Sequence, residues 1–433
     1  MSSGNETDAI RRELGVEAHQ VLMQNLLPFW EQQMERPSGR GFWGAVDEDL
    51  SPQPEAVRGA MLLLRMLWSY SRVYSAYNRV EDLTLAQKAY DDFVALFWDP
   101  VCGGCFFSVN SEGVPLEVEK RCNVQAYCVY ALCAYYHASG QAAALKMAQE
   151  QMQRIRTHAM APCGGCYDSL MRDWSPDDWI LRWEQNPSGC AVSLSVCIHL
   201  LEACGALFEI TRANTERQDL RNLLLFFIRT VYDPQHQCLK QAMTSDGRGL
   251  DHQRNFGAEA EFCHVAAWAA GLLDEPELTA QLEKITQNLL EALLDQGIET
   301  ESGLVLSGYD DTTRRYDDSR VWWCQCEAIN ALLTASSLAD EERAVRAARR
   351  IWNGIKRCFV DWENGEWFIV AGQCAAGGPP RASETQILQK LGRTKASRSK
   401  CPYHSFRTCL LMQQSDELSL ERNRDENESE QDF

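Results

Sequence analysis

No run in this 433-residue chain is apolar over the roughly twenty residues that a membrane-spanning helix needs. The opening stretch MSSGNETDAIRREL holds no apolar core of signal-peptide length. Positive charge is also short: 42 lysines and arginines stand against 61 aspartates and glutamates, a net charge of −19. Nucleic acid and anionic membranes are bound through positive charge, so neither is expected as a partner. A neutral small molecule such as a sugar is compatible with this balance. The expectation is a cytoplasmic protein, monomeric or homodimeric.

Cysteine, by contrast, is plentiful at 18 residues. Many cysteines sit inside apolar helical runs, among them Cys128, Cys133, Cys197 and Cys204. A buried free thiol behaves there as a small hydrophobe. Two Cys-x-x-Cys pairs, PVCGGCFF from Pro100 and PCGGCYD from Pro162, raise the question of zinc or redox chemistry. Both turn out to be copies of a repeat. Gly followed by large apolar residues recurs at Gly41, Gly104, Gly165, Gly303 and Gly365, with a degenerate copy near Gln237. The spacings are 63, 61, 72, 66 and 62 residues. Asp99, Asp233, Asp295 and Asp361 stand before several copies as turn-starting residues. Cys105 and Cys166 fall where other copies carry Phe42, Leu304 or Glu366. A zinc site needs four converging ligands, and copies without Cys make the same turn, so no metal is expected.

Between the turns the periodicity is helical. Amphipathic runs precede the turns at about 14–35, 82–98, 142–158, 217–231, 277–296 and 342–360, and more apolar runs follow at about 54–77, 122–138, 185–208, 257–273, 323–337 and 404–414. A single hairpin cannot bury its apolar face alone, so copies must pack side by side. Six hairpins and twelve helices predict an all-α fold, an (α/α)6 barrel, with the amphipathic helices outside. Residues 1–414 form one such domain on this reading. Residues 373–400 read as a long loop, and the polar, acidic 415–433 as a disordered tail.

A helical barrel has its pocket where the inner helices begin. Polar residues in these apolar helices are therefore candidates: Arg65; Asn123, Gln125 and Tyr127; Ser195 and His199; Glu261 and His264; Trp322, Trp323, Gln325 and Glu327; Tyr403, His404 and Arg407. Each has a structural alternative. His199 would be a core histidine bonded to a neighbouring Ser, Glu202 an edge residue, Glu261 and His264 a hydrogen-bonded pair, Arg65 a salt bridge to Glu327 or Glu261. One of the two tryptophans would be core. Taken together, Trp faces beside carboxylates and Arg suit a pyranose, whose C–H face stacks while its hydroxyls take charged bonds.

The chain resembles the N-acylglucosamine 2-epimerase family, most closely its cellobiose 2-epimerase branch. KCPYHSFR resembles Lys-Cys-Pro-Tyr-His-Asn-x-Arg, with Ser405 at the Asn position. WWCQCEA is similar to Trp-Trp-Pro-Gln-Ala-Glu-Ala, and SVCIHLLEA to Asn-x-x-Leu-His-Leu-Leu-Glu-Ala with Ser195 for Asn. The resemblance implies a cofactor-free sugar 2-epimerase or aldose–ketose isomerase that opens the ring and passes through a cis-enediolate. It implies His404 as an acid/base residue, Arg65 on the enediolate oxygen and His199 assisting ring opening. Glu261 and Glu327 then orient these groups, and Trp323 stacks on the sugar. Asn123 stands where the family usually has Tyr, and His264 where it has Trp. The family's second acid/base histidine is Ala258 here. A non-catalytic sugar-binding member of the family is the alternative reading.

Overall fold

A computed structural model describes residues 3–37, 41–176 and 189–414. The expected tail lies outside the described residues, as does the start of the expected run 185–208. The chain folds as an (α/α)6 barrel. The inner helices are, in order, Ala60–Tyr77, Cys122–Ser139, Leu194–Thr211, Phe256–Leu273, Trp322–Thr334 and 403–414. The outer helices are Ser3–Val21, Val80–Asp92, Ala142–Arg154, Asn214–Phe226, Pro276–Ala292 and Glu341–Cys358. The first five outer helices each run on into a five-residue π-helical turn, Leu22–Leu26, Phe93–Phe97, Ile155–Ala159, Phe227–Val231 and Leu293–Gly297. The first then adds a last α-turn, Leu27–Gln32, so this helix begins ahead of the expected 14–35 and ends within it.

The repeated turn follows each outer helix and is closed by a short antiparallel bridge: Glu35 with Phe42, Trp98 with Cys105, Met160 with Cys166, Tyr232 with Leu239, Ile298 with Val305 and Val360 with Trp367. The degenerate fourth copy is therefore real. Gln237 takes φ +51° two residues before its bridge, where Gly103, Gly164, Gly303 and Gly365 stand in the left-handed region that favours glycine; in the first copy Gly41, one residue before the bridge, takes that conformation. The bridges correct the sequence register by one residue. Cys105 and Cys166 correspond to Val305 and Trp367, not to Leu304 and Glu366. Asp99, Asp233 and Asp361 each accept backbone N–H bonds from the residues two and three ahead, as turn-starting aspartates do. In the fifth copy that place belongs to Glu299, while Asp295 lies back in the π-turn.

The barrel mouth is laced by two- and three-residue strands. The strand leading into each inner helix pairs with the strand that follows the next turn: Arg58–Gly59 with Ser108–Val109, Lys120–Arg121 with Ser169–Leu170, Val192–Ser193 with Ala242–Met243, and Gln253–Asn255 with Gly308–Asp310. Val321 bridges Val370 in the same way. These ladders set the height of each repeat on its neighbour. Gln125 and Gln325, read above as pocket residues, instead clamp the turns. Gln125 accepts from Cys105 N and donates to Cys105 O, and Gln325 does the same with Val305.

Closure joins the two ends of the sequence. The first outer helix packs on the sixth through Lys356–Glu17 and Arg346–Glu6 ion pairs, with Arg11 bonded to Leu333 O. Residues 373–400 are not one long loop: they hold the helix Ala382–Leu391 and the strand Thr394–Ala396, which pairs with Val46–Asp47. Buried Glu384 on that helix binds Arg320 at 2.8 Å. One described helix, Leu194–Thr211, is long and apolar enough to cross a membrane, with mean hydropathy 1.5. Its hydropathy is that of an inner barrel helix, 78% buried by its neighbours.

Candidate functional site

Four inner helices, the third to the sixth, send buried charged groups to one place, and Glu327 is at its centre. Its Oε1 is 2.5 Å from His404 Nδ1 and its Oε2 is 2.8 Å from His264 Nε2. Oε2 is also 2.7 Å from Arg407 Nη2 and accepts from Asn330 Nδ2 at 3.1 Å. Arg407 Nη2 reaches Glu261 Oε1 at 2.7 Å, and Nη1 bonds Glu202 and the Tyr403 hydroxyl. Glu202 completes the chain: Oε1 accepts from Tyr403, and Oε2 is 2.8 Å from His199 Nδ1.

These contacts fix protonation. Burial opposes ionisation of Glu327, but Arg407, His264 and His404 outweigh it and hold the carboxyl well below the ordinary range. Burial likewise opposes ionisation of Glu202, and Arg407 with His199 pulls it down to about 2. An ionised Glu327 must be met by N–H, so His404 carries its proton on Nδ1 and presents Nε2 as the basic nitrogen. Burial pushes the His404 imidazole below its ordinary value of 6.5, against the opposing pull of Glu327. It is therefore neutral at pH 7 and able to accept a proton.

Arg65 is placed differently. Among the described residues it forms no carboxylate ion pair, so the expected alternative of a salt bridge to Glu327 or Glu261 is not what the fold builds. Its Nη1 lies 3.2 Å from Cys401 Sγ and its Nη2 3.4 Å from His199 Nε2. The guanidinium rests 5.2 Å over both the Tyr127 and Tyr403 rings. The side chain stays partly exposed, which leaves its charge available to a ligand.

Trp323 is the half-exposed tryptophan, with its ring 5.8 Å from that of His404. Trp322 is the core one, buried at 4% exposure under Lys400. Gly257, in the first turn of the fourth inner helix, makes room for Trp323: a Cβ there would stand 2.7 Å from that ring. Its neighbour Ala258 is buried and offers no titratable group at this height.

Other expected residues are moved by the structure. Asn123 is half-exposed, with its Oδ1 turned to its own helix at Val124 N. Ser195 is exposed, and His199 bonds Glu202 rather than a serine. Tyr127 is fully buried beneath Arg65 and supports it from below. Arg407, expected to meet substrate, is 5% exposed and spent on three carboxylates. Glu261 and His264 do not bond each other: one serves Arg407, the other Glu327. His264 also lines a cavity of about 680 Å³ at the far end of the barrel, together with Trp68, Trp268 and Glu202. Tyr403, a candidate from its sequence, belongs to the network, whereas Glu202, read as an edge residue, is a member that sequence reasoning missed. The signal was present, since Glu202 follows His199 by three residues, one helical turn.

Among the described residues, the groups of three or more ligand-type side chains whose atoms lie within 4.8 Å of one another contain no cysteine. Cys105 and Cys166 are buried as thiols, with Cys128 and Cys122 as their respective neighbours.

A family profile described as N-acylglucosamine 2-epimerase matches residues 41–374. A cellobiose 2-epimerase of Eubacterium cellulosolvens is 28% identical over 411 residues, covering 90% of this chain and 96% of that protein. The solved cellobiose 2-epimerase of Spirochaeta thermophila superposes with TM-score 0.82 at 27% identity, covering 95% of this chain and 98% of its own. A solved D-mannose isomerase shares the fold with TM-score 0.77 at 15% identity, over 93% and 97% of the two chains.

Proposed function

Because the chain belongs to the N-acylglucosamine 2-epimerase family, we propose that it is a carbohydrate epimerase or isomerase acting on a free reducing sugar, with aldose–ketose isomerisation as its main reaction. The observation that carries this reading is the single basic imidazole nitrogen beside Trp323: His404, held at Nδ1 by Glu327. The sugar stacks on Trp323 with C2 facing His404 Nε2. His199, polarised through Glu202, assists opening of the ring to the free aldehyde. His404 takes the proton from C2, and the electron pair forms the C1–C2 double bond of a cis-enediolate. The negative charge collects on O1 and is met by Arg65. Proton movement from O2 to O1 and return of the first proton from His404 to C1 give the ketose. Three carboxylates face only two guanidiniums here, Glu202, Glu261 and Glu327 against Arg407 and Arg65. The surplus negative charge favours the imidazolium that forms when His404 takes its proton.

Inversion at C2 normally needs a base on each face of the carbon. Ala258 supplies none, and His264 is bonded to Glu327 through Nε2. One-base proton transfer along a single face therefore ranks above epimerisation. The test is incubation with mannose, glucose, cellobiose and N-acetylmannosamine in D₂O, with NMR following H2 exchange, ketose and C2 epimer. Ketose with deuterium at C1 supports the reading, and Ala258→His should then raise the epimer fraction. Exchange with no sugar at all, despite saturable binding, assigns the protein to the sugar-binding class instead.

The acid limb of the rate profile follows from the imidazole. His404 must be neutral to act, and its protonation falls below 6.5. We expect kcat/KM to fall to half its plateau value only at a pH below 6.5. A half-point above 6.5 would remove His404 as the titrating base.

A further inference from the structure

The fourth turn brings together three ligand-type side chains remote in role from the Glu327 centre. Asp233 opens the turn, His236 lies within it, and His252 precedes the strand Gln253–Asn255 that leads into the fourth inner helix. His236 Nδ1 is 2.8 Å from Asp233 Oδ2. The His236 and His252 rings are 5.0 Å apart, and one ligand atom from each of the three residues lies within 4.8 Å of the other two. Asp233 and His236 are half-buried and His252 is exposed.

We propose that Asp233, His236 and His252 bind a divalent transition-metal ion of the Zn²⁺ class. Two imidazole nitrogens and one carboxylate oxygen suit zinc, nickel or copper, whereas magnesium and calcium require shells made largely of oxygen. Donors on one tetrahedral zinc stand ~3.3 Å apart, given bonds of ~2.0–2.1 Å. The Asp233–His236 pair is already near that separation, and the exposed His252 side chain has only to swing inward. The fourth tetrahedral corner is left to water.

The backbone around these residues is held in advance. Asp233 Oδ1 takes the backbone bonds, from Gln235 N at 2.9 Å and His236 N at 3.4 Å, while Oδ2 faces His236 Nδ1, and the ion would replace the proton between those two atoms. Arg254 donates to the carbonyls of His236 at 3.3 Å and Gln237 at 2.5 Å, and it pairs with Glu259 at 3.4 Å. Glu259 in turn accepts from Leu239 N. Asp311 N donates to His252 O at 3.3 Å. The turn and the strand beside His252 are thus tied to each other from two sides. A bound ion would cross-link the fourth turn to the start of the helix that carries Glu261 and His264.

The experiment uses the full chain, stripped with EDTA and dialysed, then titrated with ZnCl₂ by calorimetry while the thermal midpoint is followed. One Zn²⁺ per chain is expected, with a midpoint that rises with zinc concentration as ligand linkage requires. MgCl₂ should give neither. His252→Gln, at an exposed position, and His236→Gln should each abolish the stoichiometric binding and the midpoint rise. Cys102→Ser with Cys163→Ser should leave both intact. Absence of zinc binding in the unaltered chain overturns the proposal. So does binding that survives both histidine variants, or binding lost in the cysteine variant, which would place the ion at the CGGC turns.

Discussion

His404→Asn is expected to lower turnover by at least ~10³-fold, within the range seen for loss of a positioned general base, while sugar affinity changes only a few-fold. Asparagine keeps an N–H that can reach Glu327, so the carboxylate is not left bare. It has no nitrogen that can take a proton from C2. The loss should thus fall on kcat, because in the proposed mechanism the missing interaction exists only on the way to the enediolate. Isotope exchange at C2 and calorimetric sugar binding measure the two halves separately. A variant with near-normal exchange would take His404 out of the mechanism. One that has lost both exchange and binding would point to damage at the Trp323 wall beside it.

Arg407→Ala is expected to destabilise the fold by ~3–5 kcal/mol, the usual cost of removing one partner from a buried ion pair. Here the guanidinium serves three carboxylates at once, Glu202, Glu261 and Glu327. Without it they are left buried with uncompensated charge. The pH dependence gives the sign. Glu202 has its folded-state value depressed to about 2 from an ordinary 4.5. Its stabilisation is therefore fully present above 4.5 and is lost as pH falls toward 2. In Arg407→Ala that contribution is gone, so the gap between variant and parent should be widest at neutral pH and should narrow through this window. Urea denaturation at pH 7 and pH 4 measures it. A variant as stable as its parent at pH 7 would show that the three carboxylates are neutral or hydrated, and the protonation pattern assigned to Glu327 would fall with it.

The architecture was legible because each of its causes is local. Glycine or a tolerant residue at a left-handed position, an aspartate opening the turn and a 3.6-residue apolar period all act within a few residues. Their recurrence at near-constant spacing forces six hairpins side by side. Even the fourth copy, with Gln237 in place of glycine, was visible from spacing alone. The errors were local too. Aligning the copies on the glycine, rather than on the bridge it permits, shifts Cys105 against Val305 by one residue. Gln125 and Gln325 were misplaced because amphipathic period marks a residue as buried without saying whether it faces the barrel axis or the turn behind.

His404, Arg65, Glu327 and Trp323 could be named as candidates from the residues themselves, since titratable groups and indole faces stand out in apolar helices. How they are connected was decided by the tertiary structure. Arg407 lies 146 residues from Glu261 and 205 from Glu202, and meets both only once the ring closes. The choice between Arg65 and Arg407 as the ion-paired arginine is set by the height and rotation of each inner helix. The mouth ladders fix those, and no period in the sequence encodes them. Periodicity determines that a charge is buried. Which opposite charge it meets depends on neighbours brought in from across the barrel, and that choice leaves Arg65 free beside His199 and binds Arg407 in place.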